Sequence, residues 1–257
     1  MPIGVLCAAA VLGVAGAAAL PLPAYRLSVP WRKAGEPPVP ARSTCRECGG
    51  TLPPGVSGWL RPGSRCPHCG VRLGPRTWPL AGVCALACAG LAWRFWPSPS
   101  LVPYLLVVFI GVLIGTVDLA AQRIPDPLVL PGIAVAIVVF AGVAFASGDW
   151  TAYLRALAAG LTLLVGYLVL AVLPGARLGG GDVALAGMLG VYLGWVGWWF
   201  AIAGALLPWL LQAPVAVVAL VARRAGKDTM LPLGPAMLAG AYVAVVGLPA
   251  LGAALPP

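Results

Sequence analysis

The feature that most constrains this chain is a series of long apolar runs with almost no charge inside them. A helix needs roughly 20 apolar residues to cross about 30 Å of hydrocarbon. Eight runs have about this length, near residues 3–24, 78–96, 101–121, 127–147, 152–173, 182–197, 199–221 and 231–254. The sixth and seventh come from one apolar stretch that is too long for a single span, and we divide it at a turn near Gly194–Trp199.

The composition indicates that these runs belong to a membrane protein. Hydrophobic residues make up 61% of the chain and charged residues only 9%, and a water-soluble monomer of this size could not bury so much apolar surface. The sequence therefore predicts an all-α polytopic membrane protein, with about eight transmembrane helices in the lipid bilayer. A soluble enzyme, a disordered tail and a nucleic-acid-binding module are excluded.

The basic residues predict how the spans are oriented. Of the 16 Lys and Arg residues, 14 fall in four loops, 25–77, 122–126, 174–181 and 222–230. Positive loops face the cytoplasm, so both ends of the chain are expected outside. The two exceptions, Arg94 and Arg155, lie near helix ends, where their side chains could snorkel. The net charge of +9 is thus explained by topology, with a secondary role at anionic headgroups and no nucleic-acid partner.

The first cytoplasmic loop contains two C-x-x-C-G sequences. Nine of its 53 residues are Pro, so no long helix is expected there. Cys45, Cys48, Cys66 and Cys69 have the spacing of a structural zinc site, in which four thiolates surround the ion and metal binding stabilises the fold. Two disulfides are one alternative, although they are rare in the cytoplasm. Replacement of a cysteine ligand by His68 is the other.

Two of the seven acidic residues lie where a carboxylate is costly. Asp118 ends the apolar run 101–121 on its cytoplasmic side, and Asp182 follows Gly179, Gly180 and Gly181 at the start of the sixth run. Ionisable groups inside spans are usually functional, and consecutive glycines permit close backbone approach. The simpler alternatives are an interfacial helix-end residue for Asp118 and a plain N-cap for Asp182.

Both carboxyl groups are expected at the cytoplasmic side, where they could form the dyad of an aspartic protease. One member would activate water and the protonated member would polarise the scissile carbonyl. A helix N-terminus stabilises an anion, which favours Asp182 as the base. Apolar surroundings favour the neutral form of Asp118 and hence the role of acid. Because a dyad titrates as one unit, the sequence leaves this assignment open.

These motifs together resemble the prepilin peptidases, also called type IV leader peptidases, which are polytopic aspartic proteases with a G-x-G-D motif. Gly179-Gly180-Gly181-Asp182 matches that motif, and Asp118 stands seven residues before a Pro-Asp pair, as the first catalytic residue of the family does. Three further similarities are the paired C-x-x-C sequences, the stretch Tyr25-Arg26-Leu27 and the stretch Leu231-Pro232-Leu233-Gly234-Pro235.

The resemblance implies a function. The family removes the short basic leader from type IV prepilins and pseudopilins, just before their hydrophobic N-terminal helix, at the cytoplasmic face of the bacterial cytoplasmic membrane. It implies three parts: a first helix (1–24), a zinc-binding loop domain (25–77) and a transmembrane peptidase domain (78–257). Many members also methylate the new N-terminus with S-adenosylmethionine. Here the family's acidic residue after the second C-x-x-C is absent from Trp78-Pro79-Leu80-Ala81-Gly82, so methyl transfer stays open.

Two other classes of function remain as alternatives. Intramembrane Asp residues and helices broken by glycine also occur along the ion paths of transporters and channels. A non-catalytic factor that assists assembly of a pilus or secretion machine would have the same spans. The position of both Asp residues at one membrane face favours the peptidase over the transporter.

Overall fold

The computed structural model describes residues 2–29, 40–62, 65–174, 178–221 and 232–250. These residues are mostly helical, and within them the only strand-like pairings are two isolated bridges, Thr44 with Thr51 and Arg65 with Arg72. The helices are α1 (Ile3–Ala17), α2 (Pro21–Leu27), α3 (Gly55–Trp59), α4 (Thr77–Phe95), α5 (Leu101–Ala121), α6 (Asp126–Ser147), α7 (Trp150–Val172), α8 (Gly180–Val196), α9 (Trp198–Val221) and α10 (Gly234–Tyr242). A π-helical turn, Val243–Gly247, and a last short segment, Leu248–Ala250, continue α10.

The prediction of a polytopic helical membrane protein is confirmed, while the count of eight spans is not. Five helices, α4 to α7 and α9, are long and apolar enough to cross a membrane, and the bent pair α1 and α2 gives a sixth. The two remaining apolar segments, Gly180–Val196 and Gly234–Ala250, have fewer than 18 residues. A helix this short reaches across the hydrocarbon only in part, since it rises about 1.5 Å per residue.

The predicted first span is divided into two helices. Helix α1 ends at Ala17, and α2 runs from Pro21 to Leu27 at an angle of 46° to it. Pro21 and Pro23 explain the break, because proline lacks an amide proton and is accommodated at the start of a helix. Helix α2 also extends beyond residue 24, the expected end of this part of the chain.

Small residues allow the central helices to approach each other closely. Helix α8 packs against α7, where a Cβ atom on Gly190 would lie 2.8 Å from the Ala159 carbonyl oxygen. Such contacts are typical of helix pairs in membranes. Cys84 and Cys88 are fully buried in α4, where they pack as small apolar side chains.

Helices α8 and α9 are separated by a short turn at one end of the bundle. Helix α8 ends at Val196 and α9 begins at Trp198, which places the turn where the sequence predicted it. The sequence predicted that the Arg155 side chain extends to the lipid headgroups, whereas it binds backbone carbonyl oxygens at the end of α8. Its Nε and Nη2 atoms donate to the carbonyl oxygens of Gly194 and Trp195, both at 2.9 Å. A cation in this position stabilises the negative end of the α8 dipole.

Candidate functional site

Asp118 lies in the last turn of α5 and is buried, with 4% of its surface exposed. The helix ends directly after it, because Gln122 adopts a left-handed conformation (φ 50°) and donates its N–H to the Asp118 carbonyl oxygen at 2.8 Å. The side chain turns toward α10, where its Oδ2 atom accepts the N–H of Gly234 at 2.9 Å. The start of α10 therefore holds this carboxyl group in place.

Asp182 lies in the first turn of α8 and is half-buried. The N-cap residue is Gly179, so the alternative in which Asp182 is a plain N-cap does not match the structure. Asp182 instead occupies the third helical position, and its Oδ2 atom accepts the N–H of Gly179 at 2.9 Å. This hydrogen bond, from the N-cap N–H to the side chain of the third helical residue, is the one made by the acidic residue of a capping box. It fixes the carboxyl group at the positive end of the helix dipole.

Ile124 connects the two carboxyl-bearing helix ends. It is buried in the loop between α5 and α6, and a Cβ atom on Gly181 would lie 2.8 Å from the Ile124 Cβ and 3.0 Å from its carbonyl oxygen. A Cβ atom on Gly234 would lie 3.3 Å from the Ile124 Cδ1 and 2.8 Å from Oδ2 of Asp118. The loop, α8 and α10 therefore meet at a point where only glycine leaves enough room.

The two carboxyl groups are brought to one end of the bundle. Gly234, which contacts the Asp118 carboxyl group, and Gly181, which directly precedes Asp182, both face the same residue, Ile124. Each uses one oxygen for a backbone N–H, and for neither does the described part of the chain offer the other oxygen a hydrogen-bond partner. Two carboxyl groups that each have one oxygen without a hydrogen bond can act as a general base and a general acid on a substrate bound between them.

Sequence reasoning did not single out two residues of this site. Gly234 was noted only as part of a resembling stretch, although the glycine before Pro235 was a usable signal. Ile124 carries no chemistry, and its role becomes visible only through its packing against Gly181 and Gly234.

The four loop cysteines form a compact cluster on the same side of the bundle. Their Sγ atoms all lie within 4.8 Å of one another, with Cys45 3.9 Å from Cys69 and Cys48 3.7 Å from Cys66. Sulfurs at the corners of a tetrahedron with a metal–sulfur distance of about 2.3 Å are separated by about 3.8 Å. The cluster therefore fits a tetrahedral metal ion.

Neither alternative for these cysteines matches the structure. All four are free thiols, so the two-disulfide arrangement is absent. His68 turns away from the sulfurs, and its Nε2 atom lies 2.9 Å from the Thr51 carbonyl oxygen. The imidazole thereby links the second C-x-x-C turn to the first without acting as a ligand.

Both C-x-x-C turns have the same backbone geometry. Gly49 and Gly70 take positive φ angles of 70° and 72°, and each donates its N–H to the carbonyl oxygen of the first cysteine of its turn at 3.0 Å. A positive φ explains the glycine that follows each motif. The backbone N–H of Cys69, followed by that of His68, lowers the pKa of Cys66 to about 6, which favours the thiolate that metals bind.

Helix α2 attaches this thiol cluster to the bundle. Leu22 packs with Cys45 and Cys66 in a small core separate from the main one. Arg26 is buried, and its Nη2 atom donates to the Pro53 carbonyl oxygen at 2.7 Å. The guanidinium also lies 5.1 Å from the ring centre of Trp59. These contacts give the Arg of the Tyr25-Arg26-Leu27 stretch a structural role.

A cavity of about 550 Å³ separates the thiol-cluster loop from the end of α5. Its polar side chains include Tyr25, Arg42, Arg46 and Thr116. Among its described residues, the lining contains two guanidinium groups and no carboxylate, whereas nucleoside cofactors are commonly held by an acidic side chain at the ribose hydroxyls. These residues therefore offer the ribose of S-adenosylmethionine no acidic partner.

Comparison with known proteins agrees with this geometry. Residues 105–222, which contain both Asp118 and Asp182, match the model of the type IV leader peptidase family. The chain is 30% identical over 213 residues to a prepilin leader peptidase/N-methyltransferase of Pseudomonas putida, covering 79% of this chain and 71% of the relative. A protein of the same description from Bacillus subtilis is 28% identical over 216 residues, covering 80% and 82%. No solved structure matches the chain. The chain belongs to the type IV leader peptidase family.

Proposed function

We propose that this protein is a membrane-embedded aspartic endopeptidase that removes the leader peptide from type IV prepilins or pseudopilins. The observation that carries the proposal is that the helix ends bearing Asp118, in α5, and Asp182, in α8, meet around Ile124 at one end of a membrane bundle in a chain of the leader peptidase family. A transporter or an assembly factor would not require this pairing.

The proposed reaction needs only water and the two Asp side chains. Asp182 acts as the base, because the N-terminus of α8 stabilises its carboxylate, and it takes a proton from water as the oxygen attacks the scissile carbonyl carbon. Asp118 is the acid that hydrogen-bonds to the carbonyl oxygen and shares the developing charge. When the tetrahedral intermediate breaks down, the C–N bond breaks and Asp182 passes the proton it took from water to the departing amine, which becomes the new N-terminus of the pilin. This restores the Asp182 carboxylate, and the leader leaves with the new carboxyl group.

The backbone donors have a positioning role in this proposal. The N–H groups of Gly234 and Gly179 each hold one oxygen of a catalytic carboxyl group, which leaves the opposite oxygen directed toward the substrate. Ile124 keeps the two supporting helix ends at a fixed separation. Preorganisation of this kind is what allows a pair of ordinary carboxyl groups to act together.

We further infer that the site faces the cytoplasm of a bacterium, in the cytoplasmic membrane. The support is that 14 of 16 basic residues fall in loops for which the sequence predicts the cytoplasmic side. Zinc is the proposed metal of the thiol cluster, because four cysteine sulfurs in tetrahedral spacing suit it. Zinc would hold the loop together and contributes nothing to the hydrolytic step. The proposed substrates carry a basic leader before a hydrophobic N-terminal helix.

Methyl transfer is a separate activity, named in the description of the relatives. The loss of the acidic residue after the second C-x-x-C turn argues against it in this chain. Mass spectrometry of the processed pilin distinguishes the two cases. A product heavier by one methyl group would show that the activity is retained.

The test of the peptidase is processing of a panel of prepilin reporters co-expressed with the protein. We compare the wild type with Asp118→Asn and Asp182→Asn. The matched control is Asp149→Asn, because Asp149 caps α7 through its Oδ1 atom and Asn is an equally good cap. Processing by the wild type and the control, and by neither catalytic variant, is expected. Processing that survives both catalytic substitutions would refute the proposal.

A further inference from the structure

A second cavity, of about 420 Å³, lies beside the thiol cluster at the beginning of α4. We call it the arginine cleft, and its lining consists of Arg61, Pro62, Arg65, Arg72, Arg76, Thr77 and Trp78. It shares no lining residue with the cavity near Asp118. The proposed peptidase reaction uses none of these side chains.

The charged side chains among the described residues of the arginine cleft are all positive. Four guanidinium groups line it with no carboxylate among them, all four arginines are exposed, and none forms an ion pair within the part of the chain that the structure describes. One is held in place, since Nη1 of Arg65 donates to the Gly70 carbonyl oxygen at 3.2 Å. Like charges this close repel each other, and an anion bound between them removes the repulsion. Guanidinium groups match phosphate in particular, through paired N–H donors.

The start of α4 contributes to the same charge. The helix begins at Thr77, and its N-cap, Arg76, makes no side-chain capping hydrogen bond. The first turn also contains no acidic residue. Its N–H groups therefore point at the arginine cleft without a side-chain acceptor at the cap, as at other helix ends that bind anions.

The position of the cleft indicates which anion it receives. Helix α4 is one of the five helices long and apolar enough to span the membrane, so its first residues lie at the level of the lipid headgroups. Trp78 is 72% exposed there, in the position where interfacial tryptophans contact lipid. A phosphate presented at this depth, with acyl chains beside an exposed indole, is that of a phospholipid.

We propose that the arginine cleft binds the headgroup phosphate of an acidic phospholipid. A lipid with net negative charge is favoured over a zwitterionic one, because the cleft offers four positive charges and no acceptor for a headgroup cation. The basic leader of the proposed substrate would be repelled from the cleft, so it is not the leader site. The lipid would fix the thiol-cluster loop against the membrane beside α4.

The test measures lipid binding to the purified full-length protein by native mass spectrometry in a neutral detergent. Phosphatidylglycerol, phosphatidylcholine and inorganic phosphate are the three probes. Arg72→Gln and Arg76→Gln are made singly and together, and Arg46→Gln is the control, because it removes the same charge from an exposed site of the same loop outside the cleft. Metal content and thermal melting establish that each variant is folded.

Phosphatidylglycerol is expected to bind more tightly than phosphatidylcholine, and the double variant to weaken it on the order of tenfold or more. The control should change its affinity by about twofold at most, and inorganic phosphate should not displace the lipid. Arg72→Lys/Arg76→Lys keeps the charge but loses the paired donors, so it should bind between the wild type and the double variant.

Three results would overturn the proposal. Equal affinity for the two lipids would show that charge is not recognised. Equal losses in the control and the cleft variants would show a general effect of net charge. Displacement of the lipid by inorganic phosphate would identify a phosphate site without lipid specificity. None of these depends on peptidase activity, so the peptidase proposal can fail or succeed independently.

Discussion

Gly180 and Gly181, which directly precede Asp182, differ in the space around them. Substitution by alanine is therefore expected to reduce activity at Gly181 and to leave it nearly unchanged at Gly180. A methyl group on Gly181 would lie 2.8 Å from the Ile124 Cβ and 3.0 Å from the Ile124 carbonyl oxygen. A methyl group on Gly180 meets nothing within 4 Å. Both residues lie in the first turn of α8, so Gly180→Ala is a matched control for Gly181→Ala.

The size of the effect follows from these distances. Ordinary contact begins at 3.4 Å, so the methyl group at Gly181 is about 0.6 Å too close to Ile124. One of its neighbours there is backbone, which cannot rotate away, and the start of α8 or the 122–125 loop must move instead. Displacements of about 1 Å at a catalytic group reduce rates roughly 100-fold, and overpacking costs about 1–3 kcal/mol. We expect kcat/KM of Gly181→Ala to fall on the order of 10- to 100-fold.

The control should behave differently in both respects. Alanine is favoured over glycine inside a helix by about 1 kcal/mol, so Gly180→Ala should be at least as stable as the wild type. Its activity should remain within about twofold of the wild type, as for other unhindered exposed positions.

The assay is the initial rate of leader removal from a synthetic prepilin segment by the purified variants in one detergent, over a range of substrate concentrations. Thermal melting and metal content are measured on the same samples. Wild-type activity in Gly181→Ala, or equal losses in the two variants, would refute the argument that close packing against Ile124 positions Asp182.

Three further predictions concern the supporting structure. Gly234→Ala would place a methyl group 2.8 Å from Oδ2 of Asp118, the oxygen that accepts the Gly234 N–H. The kcat for leader removal should therefore fall with little change in thermal melting. A wild-type kcat would contradict this. Cys45→Ser should abolish the binding of the proposed zinc, measured by elemental analysis, whereas Cys7→Ser, at an exposed cysteine outside the cluster, should leave it unchanged. Arg26→Ala should destabilise the loop by about 2 kcal/mol through loss of charged hydrogen bonds, which faster proteolysis of residues 40–62 would report and unchanged proteolysis would contradict.

The sequence predicted those features that depend on local composition. Apolar runs placed α4 to α7 within a few residues, and Gly197 separates α8 from α9 within the turn predicted near Gly194–Trp199. Four cysteines in two C-x-x-C-G turns predicted the thiol cluster, because ligand type, spacing and the positive-φ glycine are all visible in one stretch of chain. The family resemblance also followed from local motifs.

Features that depend on packing were not predictable in the same way. Hydropathy counted α8 as an ordinary span, although it is short and nearly enclosed by other helices. The Gly234 N–H that binds Asp118 comes from 116 residues away, and no local pattern encodes that pairing. Arg155 was expected to reach the headgroups, and it instead binds carbonyl oxygens at the end of α8, 39 and 40 residues further along the chain.

The central claim is that Asp118 and Asp182 act as one catalytic unit, and a double-mutant comparison tests it most directly. The rate constant for cleavage of a prepilin segment is measured for Asp118→Asn, Asp182→Asn and the variant with both changes. Each single variant should lose on the order of 10³-fold or more, and the double variant should be no slower than the worse single one, because residues that act as a unit are not additive. Losses that multiply in the double variant, or substantial activity in either single one, would contradict the claim.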